Sequence, residues 1–339
     1  MISGTVDTLL DRSIALGYGT VGLLARRRLP GWPADPPQID GAVVLVTGAA
    51  SGLGLAAATG FARLGATVHA LARSSDRADE AARRIAAAVP GAHVRRASCD
   101  LSSLAAIRDF AEEFAARVPL LDVLVNNAGV MPDARTVSPD GHELMFATHV
   151  LAPLALTTAL AGPLTRGAPS RVINVSSGGM YAEALPVGDW ESEEVDYSPK
   201  RFYARTKREQ VVITEFLAER LQERGVAVHA MPPGWADPEG VRRWMPLFRT
   251  VTRPIIRSAQ DGADTIVWLG AAPEPLGQSG LFWHDRRPRP THYRFGAAPD
   301  SQADRDALWR YCSDALAGAG IAGLGPGGVT DHARAQLER

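Results

Sequence analysis

A tyrosine and a lysine stand four positions apart in the segment RFYARTKREQ, residues 201–210. On a helix, side chains at positions i and i+4 are neighbours, so Tyr203 and Lys207 would face the same side. An ammonium group beside a phenol stabilises the phenolate and lowers the phenol pKa, as proton-transfer chemistry would need. The alternative is an ordinary surface pair, so the rest of the chain must decide between the two interpretations.

A glycine-rich segment, TGAASGLG at residues 47–54, lies between an apolar β-branched run and the helical sequence LAAATGFARLG. Gly48, Gly52 and Gly54 would permit a tight turn, a close approach of the backbone to a pyrophosphate and close packing of helix on strand. The positive end of the helix would then face the phosphates. A glycine-rich loop without a ligand is the alternative, but the strand before it and the helix after it favour a dinucleotide site.

The second predicted strand ends at Ala72 and is followed by Arg73 and Ser74. At this point an acidic residue would hold the adenosine ribose of NAD. A carboxylate would repel a 2′-phosphate, whereas a guanidinium binds one through charge-assisted hydrogen bonds. The missing acid therefore predicts NADP(H) in preference to NAD(H), and a merely solvated arginine at a strand end is the alternative.

The residues between Gly41 and about position 285 alternate between short β-branched runs and alanine-rich helical stretches. The seven runs are AVVLV, ATVHALA, HVRRASC, DVLVN, RVINV, VAVHAM and GLFWH. Strands separated by helices form right-handed βαβ units, which give a parallel sheet with helices on both faces. We therefore predict a Rossmann-type, doubly wound α/β fold with a mainly seven-stranded parallel sheet in a single domain.

Two flanking regions differ from this pattern. Residues 1–37 are predicted to form a helical arm and a linker, since the proline-rich RLPGWPADPPQ cannot continue a helix. Residues 38–315 form the predicted domain. Residues 316–339, which are rich in glycine and then polar, form a predicted, loosely attached tail.

The composition argues against several classes of function. Lysine and arginine (36) nearly balance aspartate and glutamate (37), so no overall field recruits nucleic acid. Cys99 and Cys312 form no CxxC motif, and the histidines show no ligand spacing, which argues against a metal site or a disulfide framework. No apolar run is long enough to span a bilayer, and the basic cluster at 26–28 follows the apolar part of the arm, opposite to a signal peptide. We therefore expect a cytoplasmic protein.

Four motifs occur in order along the chain: TGxxxGxG at 47–54, NNAG at 126–129, NVSS at 174–177 and YxxxK at 203–207. Together they resemble the short-chain dehydrogenase/reductase family over about residues 38–315. The stretches SSGGM, PGWAD and GADTIVWL resemble the branch that contains the retinol dehydrogenases. The resemblance implies an oxidoreductase that interconverts a carbonyl and an alcohol, here with NADP(H).

The resemblance assigns roles to the tyrosine, the lysine and a serine. Tyr203 would be the acid toward a carbonyl or the base toward an alcohol. Lys207 would bind the nicotinamide ribose and lower the tyrosine pKa. Ser177, the second serine of NVSS, would hold the substrate oxygen and stabilise charge that develops on it.

The resemblance also implies which residues bind the cofactor. Asp100 and Leu101 would meet the adenine, and Pro233 and Gly234 would lie beside the nicotinamide. Asp100 could equally cap the helix that begins at LSSLAAI. The full set of expected cofactor contacts is Thr47, Gly48, Ser51, Gly52, Leu53, Gly54, Arg73, Asp100, Leu101, Asn126, Ala128, Gly129, Tyr203, Lys207, Pro233 and Gly234.

Two positions depart from the family pattern. His149, in FATHVLAPLAL, stands where the family usually has an asparagine that helps to hold a proton-relaying water. A histidine can donate, accept and titrate, so His149 could replace the relay, serve as a further catalytic acid or base, or fill the core as a neutral residue. Pro238 replaces a threonine that commonly hydrogen-bonds the carboxamide, and it offers neither a hydroxyl nor an N–H.

Large apolar residues follow Gly234, namely Trp235, Trp244, Met245 and Phe248. In the family this region, about 235–260 here, covers the substrate, so these residues would form an apolar lid in which Trp235 contacts the substrate. The alternative is a helix that packs its apolar face on the core. The lid and the long excursion between Ser177 and Tyr203 predict a lipophilic or bulky carbonyl or alcohol substrate.

Two rival functions stay open. A dehydratase, lyase or cyclase could use the same scaffold, and the changes at 149 and 238 favour it. A regulatory protein that binds NADP(H) without turnover is the other, although the intact Ser-Tyr-Lys set argues against it. The resemblance implies a homodimer or homotetramer. The N-terminal arm would either cover the mouth of the cleft or make a weak, peripheral contact with a membrane surface.

Overall fold

The computed structural model describes residues 2–13, 17–235, 256–293 and 297–325. Its strands are β1 (Val43–Thr47), β2 (Thr67–Ala72), β3 (Val94–Ser98), β4 (Val123–Asn126), β5 (Ser170–Val175), β6 (Val226–Met231), β7 (Phe282–His284) and β8 (Arg287–Arg289). Its helices are α1 (Ile2–Arg12), α2 (Thr20–Arg27), α3 (Gly52–Arg63), α4 (Ser75–Ala88), α5 (Leu104–Arg117), α6 (Leu144–Phe146), α7 (Ala152–Ala159), α8 (Ala161–Arg166), α9 (Pro199–Leu221), α10 (Ala259–Ala271) and α11 (Gln302–Gly318). Shorter turns are a π-helical turn at Ala147–Leu151 and 3-10 turns at Gly178–Ala182, Gln222–Arg224 and Glu274–Gly277.

The described strands form one eight-stranded sheet in the spatial order β3-β2-β1-β4-β5-β6-β7-β8. Strands β1 to β7 are parallel and correspond to the seven predicted runs, so the predicted doubly wound α/β fold is confirmed. Strand β8 pairs antiparallel with β7 across a turn in which Asp285 and Arg286 have φ angles of 53° and 57°. The sequence of β8, Arg-Pro-Arg, has no β-branched residue, so it carries no strand signal.

Apolar side chains cover both faces of the sheet. Along β1, Leu45 belongs to one apolar cluster, which it shares with residues of α5, α7, α9 and α11. Val44 and Val46 belong to the other cluster, with residues of α3, α4 and α10. This alternation follows from the two-residue period of a strand. Each of these fully buried side chains contributes about 1.5–3 kcal/mol of hydrophobic free energy, so the helical layers hold the sheet from both sides.

A crevice is expected where the order of strands reverses. Strands β2 and β3 lie on one side of β1, whereas β4 to β6 lie on the other. The loops that follow β1 and β4 therefore diverge and leave space at the carboxyl ends of the strands. The glycine-rich loop follows β1, NNAG begins at the last residue of β4, and NVSS spans the end of β5. The topology thus brings three motifs to one edge of the sheet.

The N-terminal arm packs near the last two strands of the sheet, β7 and β8. Arg26 of α2 and Asp285 of the β7–β8 turn are both buried, and Nη1 lies 2.6 Å from Oδ2. The linker also contacts the domain, since Trp268 Nε1 of α10 donates to the carbonyl oxygen of Ala34 at 3.1 Å. Within the described part of the chain, every helix is too short or too polar to cross a bilayer.

The predicted domain boundaries stay predictions, although several segments can be located. Helix α11 continues past the predicted boundary at 315, and Leu316 and Ile321 join the core. The predicted lid, about 235–260, is described only at Trp235 and from Ile256 onward. The predicted residues that lie outside the described segments are Pro238, Trp244, Met245 and Phe248.

One acidic side chain of α9 lies in the core. Glu209 is 0% exposed, and neither of its carboxylate oxygens has a hydrogen-bond partner. Burial, and then the nearby carboxylate of Glu143, raise the pKa of Glu209 well above its ordinary value. Glu209 therefore keeps its proton in the folded protein at a pH at which an exposed glutamate has lost it.

We predict that Glu209→Gln makes the protein less sensitive to alkaline pH. A group whose pKa is higher in the folded than in the unfolded state stabilises the fold below its unfolded pKa, and this contribution is lost as the pH rises through the folded value. The free energy of unfolding of the wild-type protein should therefore fall toward alkaline pH, and glutamine, which does not titrate, should remove this part of the slope. Urea unfolding at mildly acidic and alkaline pH measures the effect.

The exposed Glu219 on the same helix provides the control variant Glu219→Gln, which should leave the slope as it is in the wild type. Equal pH slopes for wild type and Glu209→Gln would contradict the prediction.

Candidate active site

The glycine-rich loop between β1 and α3 packs directly against the loop that follows β4. Gly48 has a φ of +67°, and a Cβ there would lie 3.0 Å from the Cα of Ala128. A Cβ on Gly54 would lie 2.2 Å from the carbonyl oxygen of Gly48. Glycine is therefore needed at both positions for loop and helix to approach this closely.

The amino terminus of α3 opens from this loop. Ser51 precedes the helix in an extended conformation, but its hydroxyl accepts no hydrogen bond from the helix, whereas Ser74 and Ser103 cap α4 and α5. The first N–H groups of a helix need acceptors and carry the positive end of its dipole. An anionic group such as a pyrophosphate fits this helix terminus.

Thr47 joins the glycine-rich loop to the NNAG loop from behind. Its hydroxyl accepts hydrogen bonds from the N–H groups of Asn127 and Ala128, at 2.9 and 3.0 Å, and donates to the carbonyl oxygen of Val125 at 3.2 Å. The residue is 2% exposed. The structure therefore places Thr47 beneath the predicted cofactor site, where it fixes the shape of two loops.

Asn126 also lies behind the cleft, although the resemblance implies that it lines it. Its Nδ2 donates to Asn174 Oδ1 at 2.8 Å and to Thr157 Oγ1 at 3.3 Å, inside the core. The neighbouring Asn127 lines the cleft instead, and its Nδ2 donates to the carbonyl oxygen of Thr47 at 2.9 Å. Successive side chains at the end of a strand point to opposite sides, which explains why Asn127 lines the cleft and Asn126 does not.

Two guanidinium groups line the cleft next to β2. Arg73 is exposed and its Nη2 lies 3.2 Å from Asp100 Oδ2, while Arg77, near the start of α4, lines the same cleft. Asp100 Oδ1 also accepts from the N–H and the hydroxyl of Ser102, at 3.0 and 2.7 Å. Burial alone would raise the pKa of Asp100, but the bonds from Ser102 and the charge of Arg73 lower it. The alternative role of helix cap falls to Ser103.

Ser177, Tyr203 and Lys207 converge at the carboxyl end of β5. Lys207 is 3% exposed, its Nζ donates to the carbonyl oxygen of Val175 at 2.8 Å, and it lies 5.7 Å from the centre of the Tyr203 ring. The hydroxyl oxygen of Ser177 accepts from the N–H of Gly179 at 3.1 Å, so the serine O–H can serve as a donor. The expected trio is thus brought together, with Tyr203 and Lys207 on one face of α9.

The pKa of Tyr203 differs from the expected direction. Burial raises the pKa of Tyr203 above its ordinary value, and a hydrogen bond with Ser177 lowers it only in part. Burial also lowers the pKa of Lys207 to about 7, and the lysine ammonium is directed at the carbonyl oxygen of Val175. Desolvation therefore outweighs the hydrogen bond from Ser177 in setting the direction of the Tyr203 pKa. The expected lowering of that pKa by Lys207 stays a prediction. Tyr203 keeps its proton at neutral pH.

His149 lies in the π-helical turn and is 0% exposed. Its Nε2 accepts from the N–H of Val130 at 3.0 Å, so its Nδ1 carries the proton and donates to Thr206 Oγ1 at 2.8 Å. Burial, and then the charge of Lys207, lower the pKa of His149 well below its ordinary value. Both ring nitrogens are engaged, so among the expected roles the geometry favours the neutral core residue, which here joins the end of the NNAG loop to α9.

These elements surround a cleft of about 830 Å³, within the range of about 300–1,000 Å³ that is common for ligand sites. The predicted site residues that line it are Gly48, Ser51, Gly52, Leu53, Gly54, Arg73, Asp100, Leu101, Ala128, Gly129, Ser177, Tyr203, Lys207, Pro233, Gly234 and Trp235. Thr47, Asn126 and His149 are the predicted residues that stand behind the lining. Among the described residues, no three histidine, cysteine, aspartate or glutamate side chains cluster as a metal site requires.

Part of the cleft wall is apolar. Its apolar side chains include Val130, Met131, Leu144, Trp235 and Ile256. Sequence reasoning identified only Trp235 among them, because the others belong to loops or to a very short helix without a periodic pattern. Arg77 and Asn127 were also missed. Arg77 has a detectable signal, since it stands four positions after Arg73 where a helix begins.

We predict that Gly54→Ala disrupts dinucleotide binding. The added methyl group would meet the carbonyl oxygen of Gly48 at 2.2 Å, which forces α3 away from the loop. The affinity for NADPH, measured by nicotinamide fluorescence, should fall at least about ten-fold because the displaced helix terminus no longer faces the phosphates. Gly277→Ala is the control, since a Cβ there meets nothing within 4 Å. An NADPH affinity in Gly54→Ala equal to that of the control would refute the assignment of the loop.

Comparisons with known proteins agree with the motifs and the geometry. A family model described as short chain dehydrogenase matches residues 42–245. The protein named dehydrogenase/reductase SDR family member 12 of Bos taurus is 39% identical over 274 residues, which cover 80% of this chain and 85% of that protein. Retinol dehydrogenase 14 of Mus musculus is 34% identical over 267 residues, which cover 74% of this chain and 80% of that protein.

Solved structures share the fold. An uncharacterized protein from Mycobacterium paratuberculosis has a TM-score of 0.64 and 26% identity, and the match covers 84% of this chain and 96% of that chain. A candidate NAD(P)-dependent gluconate 5-dehydrogenase from Beutenbergia cavernae, solved with bound NADP, has a TM-score of 0.57 and 28% identity, over 73% of this chain and 96% of that chain. The chain with its glycine-rich loop and its Ser-Tyr-Lys set thus belongs to the short-chain dehydrogenase/reductase family of nicotinamide-dependent oxidoreductases, in the retinol-dehydrogenase-like branch.

Proposed function

We propose that the protein is an NADP(H)-dependent oxidoreductase that interconverts a carbonyl and an alcohol on a lipophilic or bulky substrate, with Tyr203 as the acid or base. The observation that carries the proposal is the convergence of Ser177, Tyr203 and Lys207 on the cleft that the glycine-rich loop borders. The bound nicotinamide supplies or accepts the hydride. The side chains of this protein supply the proton, bind the substrate oxygen and hold the cofactor.

The raised pKa of Tyr203 supports carbonyl reduction at neutral pH. The phenol keeps its proton there and can donate it to the carbonyl oxygen as that oxygen gains negative charge. The oxygen of Ser177 accepts from the N–H of Gly179, so the serine O–H can donate a hydrogen bond to the same substrate oxygen. The substrate oxygen then becomes the alcohol hydroxyl, and Tyr203 is left as a phenolate that must be protonated again. Lys207 would hold the nicotinamide ribose from its fixed position beside Val175.

Two arginines support a preference for NADP(H) over NAD(H). Arg73 and Arg77 both line the cleft, and positions 72–74 contain no carboxylate. Guanidinium groups bind a 2′-phosphate through charge-assisted hydrogen bonds. The amino terminus of α4 follows directly, so the positive end of a helix dipole adds to the same charge.

The apolar part of the cleft supports a lipophilic substrate. Met131, Leu144 and Ile256 offer neither charges nor hydrogen bonds from their side chains, so they favour a ligand with a hydrocarbon part. Relatives that are named for retinol and polyprenol, both lipophilic alcohols, support the same class of substrate.

Membrane contact and assembly belong to the same proposal. The outer surface of the arm exposes the apolar side chains Val6, Leu9, Val21 and Leu24. The acidic side chains Asp7 and Asp11 are buried, so the exposed charges of α1 and α2 belong to arginines. Such a surface supports weak, peripheral contact with an anionic membrane. The proposed homodimer or homotetramer rests on the family resemblance alone.

We predict that the protein binds NADPH more tightly than NADH and that Arg73→Ala removes most of the difference. Loss of a hydrogen bond to a charged group costs about 1.5–3 kcal/mol, or roughly ten- to a hundred-fold in NADPH affinity. The NADH affinity should not change, because NADH has no 2′-phosphate. Fluorescence titration with both cofactors measures this, and Arg83→Ala, an exposed arginine of α4 outside the cleft lining, is the control. Tighter binding of NADH by the wild type would overturn the cofactor preference.

We predict that kcat/KM for the reduction of decanal by NADPH is constant near neutral pH. It should fall as the pH rises through the raised pKa of Tyr203. The proton donor must be protonated, so kcat/KM should fall about ten-fold for each further pH unit.

Tyr203→Phe should lower kcat at least about a hundred-fold because the proton donor is lost. Its NADPH affinity should stay as in the wild type. Butanal should be a poorer substrate than decanal if the apolar wall binds the hydrocarbon chain.

The outcomes separate the rival functions. Turnover that survives in Tyr203→Phe would remove the tyrosine from the mechanism. A wild-type protein that binds NADPH but reduces no aldehyde or ketone would favour a regulatory NADP(H)-binding protein. Conversion of a hydroxylated or cyclic substrate without net consumption of NADPH would favour a dehydratase, lyase or cyclase.

A further inference from the structure

Residues 17–20, immediately before and at the start of α2, form a wedge beneath the active site. Gly17, Tyr18 and Gly19 are buried, Tyr18 to 1% exposure. The wedge contacts two loops, one after β5 next to Ser177 and one after β6 that leads to Trp235. A segment from the N-terminal arm therefore packs behind the residues that line the cleft.

The backbone of the wedge holds the loop after β6. The N–H of Trp235 donates to the carbonyl oxygen of Tyr18 at 2.7 Å, and the N–H of Arg257 donates to the carbonyl oxygen of Trp235 at 2.7 Å. Thr20 Oγ1 donates to the carbonyl oxygen of Ile256 at 2.9 Å. Trp235 and Ile256 both line the cleft, so the wedge fixes two residues of the apolar wall from behind.

The ring of Tyr18 supports the loop after β5. A Cβ on Gly178 would lie only 2.7 Å from Cε1 of Tyr18, so the ring rests on the backbone next to Ser177. The ring also stacks on His284 of β7, with ring centroids 4.1 Å apart and planes at 22°. Tyr18 thus fills the space between the serine loop and the sheet, and its removal would leave a cavity there.

Buried ion pairs keep the wedge in place. Arg26 donates to the carbonyl oxygen of Gly17 and to Asp285 Oδ2, both at 2.6 Å. Arg257 binds both carboxylate oxygens of Asp285, at 2.6 and 2.9 Å, and the carbonyl oxygen of Gly19 at 3.2 Å. Separation of a buried pair leaves an uncompensated charge, so these contacts strongly favour a fixed wedge.

We propose that the N-terminal arm is a structural part of the active site, in which Tyr18 is a positioning residue for Trp235 and for the Ser177–Gly178 backbone. The wedge thereby sets the shape of the apolar wall and the selection of the hydrocarbon part of the substrate. The kinetic part of this inference rests on the proposed function, whereas the structural part does not.

Tyr18→Ala in the full-length protein tests the proposal by hydrogen exchange. Loss of the ring opens a cavity beside Gly178 and removes a member of the apolar cluster against which Trp235 packs. The amides of residues 178–180 and 234–235 should therefore exchange at least about ten-fold faster. Exchange in the glycine-rich loop should not change. The affinity for 2′,5′-ADP, which carries only the adenine end of the cofactor, should also stay the same.

The kinetic signature is a change of KM without an equal change of kcat. With decanal and NADPH, Tyr18→Ala should raise KM roughly ten-fold and change kcat less than about three-fold, since the wall binds the substrate and does not transfer the proton. Tyr18→Phe keeps the ring and should return KM and exchange to near the wild-type values. Val21→Ala, on the exposed face of α2, is the matched control for a substitution in the arm.

Unchanged exchange at residues 178–180 and 234–235 in Tyr18→Ala overturns the proposal, whatever the kinetics show. Faster exchange throughout the sheet with loss of 2′,5′-ADP affinity overturns it as well, because the arm would then support the whole fold. If Tyr18→Ala does not fold, Gly178→Ala presses a methyl group on the same ring and should give the same local signature. If the wild-type protein does not reduce decanal, the proposed function is refuted. The hydrogen-exchange rates of Tyr18→Ala still decide the role of the wedge.

Discussion

The bond from the buried Lys207 ammonium to the carbonyl oxygen of Val175 fixes helix α9 against the end of β5. A second bond, from Ser176 Oγ to the carbonyl oxygen of Lys207 at 3.0 Å, joins the same two elements. Together they set the rotation of α9. Tyr203, one helical turn earlier, is then held beside Ser177, which follows the strand. The proposed catalytic arrangement thus depends on a helix register that one buried lysine fixes.

The predicted site residues fall into two layers with different physical tasks. Glycines 48 and 54 and the arginine at 73 line the cleft, where small size or charge matters. Thr47, Asn126 and His149 stand behind them, and each uses neutral hydrogen bonds to join two segments of chain. Buried polar groups need hydrogen-bond partners, and these three residues find theirs in neighbouring segments of the chain. They therefore fill the core and at the same time hold the segments that border the cleft. Family motifs therefore contain residues, here Thr47 and Asn126, that shape the site without lining it.

The sequence was sufficient for features that depend on local pattern. The β-branched runs predicted seven strands, and the glycines predicted where backbone must approach backbone. Properties that depend on burial could not be obtained in this way. The direction of the Tyr203 pKa follows from desolvation by the surrounding chain, which no local spacing reveals. The contacts of the arm also escaped prediction, because Arg26 and Asp285 are 259 residues apart and neither shows a pattern that identifies the other.

The long separation between the arm and its partners has a consequence for biosynthesis. Asp7 pairs with Arg289, 282 residues later, so the arm leaves the ribosome long before the strands on which it packs. Ser177, Tyr203 and Lys207 are all synthesised in between, within elements that pack on one another locally. The arm can therefore dock only after strands β7 and β8 have been synthesised. The wall behind the proposed catalytic residues is completed by one of the longest-range contacts in the fold.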